Sequence, residues 1–193
     1  MRIETLVVGQ MATNCYIADG IIIDPGDDAE YIISHLTTEP TMIVATHGHF
    51  DHIMAACALQ LAYNIPFVMH KEDAFLLDTM RSSAKHFLGL STVDPPPKIS
   101  KFIQDGEKIA DLTVIHTPGH TPGSISLAGD GVIFSGDTIF AGGAVGRTDF
   151  SYSEPVKLSE SVRRILRSPA KTRLLSGHGE ETTVENERSF HTI

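Results

Sequence analysis

Four short apolar runs in this 193-residue chain each end in a Gly- or Thr-rich turn that carries His or Asp. No other feature narrows the possible folds so far. Ile43-Val44-Ala45 leads into Thr46-His47-Gly48-His49-Phe50-Asp51-His52, and Leu112 to Ile115 leads into His116-Thr117-Pro118-Gly119-His120. Val132 to Phe134 leads into Ser135-Gly136-Asp137-Thr138, and Leu174-Leu175 into Ser176-Gly177-His178-Gly179. Short apolar runs bounded by turn signals read as buried strands, and open sheets present their ligand sites at strand ends. Four such loops can converge on one place.

The rest of the chain supplies the layers around them. Ile3 to Val8, Cys15 to Ala18 and Ile21 to Ile23 are β-rich. Asp24-Pro25-Gly26 forms a turn, after which Asp27 or Asp28 can cap a helix carrying Ile32, Ile33 and Leu36 on one face. Helical spacing follows over residues 52–63, then a strand from Pro66 to Met69, a helix from Lys71 to Thr79, and a loop-like insertion from Arg81 to Ser100 containing Pro95, Pro96 and Pro97. Lys101 to Ile103 and Ser124 to Leu127 read as further strands, Glu154 to Arg167 as a helix, and Arg173 to Leu175 as the last strand. Strands alternating with helices in both halves indicate an α/β sandwich, its sheets covered by helices.

Length and the lack of low-complexity segments suit one domain over residues 1–193, large enough to bury about 70% of its unfolded surface. Acidic residues outnumber basic ones by 24 to 15, a net charge of −9 that argues against a nucleic-acid partner. No apolar run approaches the ~20 residues of a membrane span. Glu4 follows Arg2 too closely for a signal-peptide hydrophobic region to form, and two cysteines make no disulfide framework. The expected setting is the cytoplasm. Cys15, in a strand, and Cys57, on the apolar face of a helix, read as buried thiols.

Ten histidines are the compositional anomaly. A lone His after a strand is usually a surface or capped residue, and His35, His70, His86 and His191 are read that way. His47, His49, Asp51 and His52 lie within one short loop, where Gly48 lets the backbone bend so that neighbouring imidazoles face a common centre. Zn²⁺ takes about four His or carboxylate ligands at about 2.0–2.2 Å. Adding His120, Asp137 and His178 gives seven donors, too many for one tetrahedral ion and suited to two ions about 3.5–4 Å apart with one carboxylate shared. The absence of Cys donors argues against a closed structural zinc site. In the tandem His116-Thr-Pro-Gly-His120-Thr-Pro-Gly, His120 belongs to the loop proper and is favoured as the ligand, with His116 supporting or packing.

With His120, Asp137 and His178 following in order, the segment from Thr46 to His52 resembles the metallo-β-lactamase superfamily. The resemblance covers nearly the whole chain and implies a four-layer αββα sandwich of two mixed β-sheets, with metals at one sheet edge. Gly136-Asp137-Thr138-Ile139-Phe140, the segment from Gly142 to Phe150, and Ser176 to Thr183 resemble short, single-domain members of the glyoxalase II group. On that resemblance His47, His49 and His120 bind one metal, Asp51, His52 and His178 bind a second, and Asp137 bridges. Full-length glyoxalase II enzymes carry an added helical domain that holds glutathione, whereas fifteen residues follow His178 here. Arg147 lies where the group places a basic substrate contact.

The expected activity is metal-dependent hydrolysis of a small-molecule thioester such as hydroxyacylglutathione, with a metal-bridging hydroxide attacking the carbonyl while Asp51 and Asp137 orient it. Zn is the expected metal, and Fe and Mn suit the same donors. Three alternatives stand beside this: an iron-dependent persulfide dioxygenase on the same fold, a nuclease or phosphodiesterase, and a non-catalytic metal-binding protein. Arg81, Lys85, His86 and Phe87 are expected to border the substrate pocket. Oligomeric state is not legible.

Overall fold

The β-branched runs of the amino-terminal half assemble one mixed sheet, and those of the carboxy-terminal half assemble another. The computed structural model describes residues 1–191, which divide into two compact units, Met1–Phe102 and the described residues from Ile103 onward. The first sheet contains β1 (Ile3–Val8), β2 (Thr13–Ala18), β3 (Ile21–Ile23), β4 (Met42–Val44), β5 (Phe67–His70) and β6 (Ile99–Ile103), in that spatial order. β1, β2 and β3 pair antiparallel. β3, β4 and β5 run parallel, with Ile22 opposite Ile43 and Val44 opposite Val68. Parallel neighbours require crossovers. These are α1 (Ala29–His35) between β3 and β4, and α2 (Phe50–Ile53) with α3 (Ala56–Tyr63) between β4 and β5. α4 (Ala74–Leu88) follows β5. Ile32, Leu59 and Met80 from three of these helices join Ile22, Ile43 and Phe67 of the sheet in one buried core.

The second sheet has the order β12-β11-β10-β9-β8-β7, with β7 (Lys108–Ile109), β8 (Leu112–His116), β9 (Ile125–Gly129), β10 (Val132–Gly136), β11 (Arg173–Ser176) and β12 (Thr182–Thr183). β9 is antiparallel to both β8 and β10, and β10 is parallel to β11. β8, β10 and β11 therefore point the same way, so the loops after all three leave one edge of this sheet. α5 (Pro155–Leu166) is the crossover from β10 to β11, and α6 (Val184–Arg188) follows β12. Pro155 sits in the first turn of α5, where its missing N–H is no loss. Val162, Ile165 and Leu166 of α5 pack with Ile133, Leu174 and Val184.

Several elements differ from the pattern read in the sequence. The periodic stretch 52–63 is two helices, α2 and α3, rather than one. α4 extends to Leu88, so the first part of the segment from Arg81 to Ser100 is helical: Leu77, Met80 and Ala84 continue a buried stripe at helical spacing. β6 starts at Ile99, and β12 and α6 follow the expected last strand. Asp28 occupies the cap position of α1 without capping it, because its side chain accepts from the Gly9 amide. Cys57 is half-buried, while Cys15 is fully buried. No helix among the described residues is long and apolar enough to cross a membrane.

Candidate metal centre

In the first unit, the parallel pairing of β3 with β4 sets the Asp24 turn beside the loop that opens at Thr46. Asp24 is buried, and its Oδ1 accepts the Thr46 amide at 2.7 Å while Oδ2 accepts the Thr46 hydroxyl at 2.6 Å and His52 Nδ1 at 3.0 Å. These bonds fix two tautomers. A carboxylate only accepts, so His52 Nδ1 carries the hydrogen and Nε2 presents its lone pair. Thr46 spends its hydroxyl hydrogen on Asp24, so its Oγ1 accepts from His47 Nδ1 at 3.2 Å, and His47 Nε2 is likewise left as an acceptor. Such outer bonds to a ligating imidazole orient the ring and raise its basicity.

The loop is also tied from behind. Asp73, fully buried at the start of α4, accepts the Gly48 amide through Oδ2 at 2.9 Å. Gly48 is required by this packing more than by an unusual backbone angle, since a β-carbon there would lie 2.9 Å from both the Asp73 carbonyl oxygen and Leu76 Cβ.

The donor atoms are spaced as ligands of shared cations. His47 Nε2 and His49 Nδ1 are 3.1 Å apart, and Asp51 Oδ2 is 3.8 Å from His52 Nε2. Adjacent corners of a tetrahedron with bonds of about 2.0–2.1 Å have nearly the first separation.

In the second unit, the three loops that leave one sheet edge bring His120, Asp137 and His178 together. Asp137 Oδ2 lies 3.7 Å from His120 Nε2 and 3.7 Å from His178 Nε2. His120 Nδ1 donates to the Arg147 carbonyl at 2.8 Å, which again turns Nε2 toward the carboxylate as an acceptor. Gly146 lets that segment press in, for a β-carbon there would overlap the Asp137 carbonyl and crowd the His120 ring. His116 turns away from the other donors: its Nε2 donates to the Pro122 carbonyl at 2.9 Å. The Arg147 guanidinium is mostly exposed, makes two bonds to Asp149 at 3.0 and 2.6 Å, and lies 5.0 Å over the Phe150 ring. That pairing holds the Asp149 carboxyl below its ordinary range.

The geometry fits metal binding within each unit. Every proposed donor is an imidazole nitrogen or carboxylate oxygen, and the tautomers of His47, His52 and His120 are set so that the inner nitrogen is basic. Sequence reasoning gave Asp24 only a place in a turn and overlooked Asp73 and the Arg147 carbonyl. A carboxylate directly after a strand that neighbours β4 was the available signal for Asp24. Nothing local marked the other two. Arg81, Lys85, His86 and Phe87 all fall on α4, and Phe87 stacks on Phe50 with centroids 5.8 Å apart.

The profile of the metallo-beta-lactamase superfamily matches residues 8–178. The chain belongs to that superfamily. Hydroxyacylglutathione hydrolase GloC of Haemophilus influenzae is 32% identical to it, over 97% of this chain and 95% of GloC. The crystal structure of TTHA1623 in a di-iron-bound form superposes with a TM-score of 0.92 at 31% identity, covering 97% of this chain and 98% of that one. BLEG-1, a B3 metallo-beta-lactamase, superposes with a TM-score of 0.85 at 33% identity, over 97% of each chain. The two six-stranded mixed sheets with their helices are those of the metallo-β-lactamase fold. The chain is thus a metal-dependent member of a metallo-hydrolase superfamily.

Proposed function

We propose that this metallo-β-lactamase superfamily member hydrolyses thioesters of the hydroxyacylglutathione kind with two divalent ions, zinc foremost and iron or manganese as substitutes. The carrying observation is Asp137 Oδ2, 3.7 Å from each of two imidazole nitrogens, where a carboxylate shared between ions is needed. The relationship to GloC points to the thioester. His47, His49 and His120 would hold one ion, Asp51, His52 and His178 the other, with Asp137 between them. Bound ions would supply a water acidified toward a pKa of about 7 and a Lewis acid for the carbonyl.

The chain's own groups do the remainder. Asp51 and Asp137 accept hydrogen bonds from the attacking water and aim it, and Asp24 keeps His47 and His52 in the ligating tautomer. A thiolate leaves without a general acid, which suits this site: the loop hydroxyls of Ser135 and Ser176 already donate to the Ile139 and His178 carbonyls. Arg147 would receive a substrate carboxylate in exchange for Asp149. The substrate is a small molecule, the setting cytoplasmic, and neither nucleic acid nor membrane is a partner in this reading.

The test is turnover by purified protein reconstituted separately with zinc and with iron. Three substrates are offered: S-D-lactoylglutathione, glutathione persulfide with oxygen uptake recorded, and a chromogenic β-lactam. Thioester loss that a chelator abolishes, with Asp51→Ala inactive, is the expected result. Oxygen uptake on the persulfide by an iron-loaded protein that leaves the thioester intact would install the dioxygenase reading instead. Turnover confined to the β-lactam would make the site an amidase.

A further inference from the structure

The His116–His120 loop lies along α5 and hands its carbonyls to that helix and its lead-in. Arg164 Nη1 donates to the His116 carbonyl at 3.1 Å, and Ser161 Oγ to the Pro118 carbonyl at 2.8 Å. The Glu154 amide donates to the Gly119 carbonyl at 2.8 Å, and Ser153 Oγ to the His120 carbonyl at 2.7 Å. Positions 154, 161 and 164 fall on one helix face, because residues three or four apart stack on the same side. Loop and helix therefore run antiparallel, with residue 120 at the amino-terminal end. Between the bonds, Gly119 adopts φ +136° and its Cα presses on the Leu158 backbone so closely that a β-carbon would overlap it. The contact leaves no room for the loop to slide.

We infer that Ser153 and Ser161 are positioning residues, which use α5 as a ruler to set where His120 stands relative to Asp137. The inference rests on the reading of His120 as a metal ligand and goes beyond it. Ring orientation comes from the Arg147 carbonyl, while the position of the His120 backbone comes from α5. Arg164 anchors the far end: it also binds Asp105, whose carboxylate accepts the His116 amide at 2.7 Å.

A positioning role and a merely structural one order the variants differently. Ser161 is buried and Ser153 is half-exposed, so a stability role makes Ser161→Ala the worse change. A positioning role makes Ser153→Ala the worse one for metal, since its bond is to His120 itself, then Ser161→Ala, then Arg164→Met. The measurement is metal affinity at 25 °C by competition with a chromophoric chelator, together with the visible spectrum of the cobalt-substituted protein. Thermal midpoints of the metal-free proteins are recorded in parallel. Ser159→Ala, an exposed position on the same helix, serves as the reference.

The expected result is a 10–100-fold weaker first equivalent for Ser153→Ala, the size seen when outer partners of a ligand are removed, with an altered cobalt spectrum and near-normal binding restored by Ser153→Thr. Wild-type affinity and spectrum in Ser153→Ala and Ser161→Ala, beside a His120→Ala that loses an equivalent, would overturn the positioning role alone. Two undiminished equivalents in His120→Ala would overturn the ligand assignment, and the inference with it.

Discussion

Asp24 concentrates more of the site's electrostatics than any single donor, because one carboxylate sets the tautomers of two imidazoles. Asp24→Asn keeps an oxygen for the Thr46 amide but places an NH₂ where Oδ2 accepts the Thr46 hydroxyl and His52 Nδ1. Donors then face donors in a buried place, which costs about 1–3 kcal/mol. Metal affinity should fall 10–100-fold, with turnover falling alongside. A chelator competition showing wild-type affinity for Asp24→Asn would remove this role from Asp24. The cysteines give a second check at this scale. Burial, reinforced by the nearby Asp24 charge, pushes the Cys15 thiol far up from its ordinary value, and Cys57 is raised by burial and Asp94 to a lesser degree. Only a thiolate attacks a disulfide reagent. Native protein at pH 8 should therefore release one equivalent of chromophore slowly, from Cys57, and denatured protein two. Rapid release of two equivalents from native protein would show that Cys15 is not sealed.

At the scale of elements, the long helix before the proline run shows what the sequence pattern can and cannot locate. Leu77, Met80 and Ala84 stand at helical spacing, but the sequence reading ended the helix at Thr79 and took the proline-bearing segment from Arg81 as a loop-like insertion. The true stop is Gly89, which adopts φ +67° while its amide donates to the Lys85 carbonyl at 3.0 Å. A β-carbon at Gly89 would meet nothing within 4 Å, so only its conformational cost remains. A non-glycine residue in the left-handed region costs about 1–2 kcal/mol. Gly89→Ala should thus lower the unfolding free energy by that amount, seen as a lower denaturant midpoint at unchanged slope, and leave metal binding and turnover alone. An unchanged midpoint would mean that the helix end frays freely. The two-residue strands β7 and β12 escaped sequence reading for a different reason: a two-residue strand has too few positions to show alternation, and its pairing is set by the neighbour it lies beside.

For the molecule as a whole, the candidate donors were readable because their chemistry is local. Four apolar strands with polar, His- or Asp-bearing loops can be recognised one at a time. What holds those donors was not readable, because it comes from sequence-distant partners: Asp24 reaches His52, Asp73 reaches Gly48, and Ser153 reaches the His120 carbonyl. The same division governs stability. On the proposed function, imidazoles and carboxylates in each unit stand where apolar packing would otherwise be, so the folded state should lean on the metal. An ion present at 1,000 times its Kd stabilises by about 4.1 kcal/mol, and for a chain of this size each kcal/mol moves Tm by about 2–4 °C. Removing one such ion should lower Tm by roughly 8–16 °C. The pH sense follows from the donors. Imidazole coordinates only when neutral and ordinarily titrates near about 6.5, so protons compete with the ion as pH falls. The gap between metal-loaded and metal-free Tm should be widest in mildly alkaline solution, narrow steadily as pH falls, and close in acid. Calorimetry with and without chelator across that range measures it directly. A gap that persists undiminished at pH 5 would mean that carboxylates rather than histidines carry the binding.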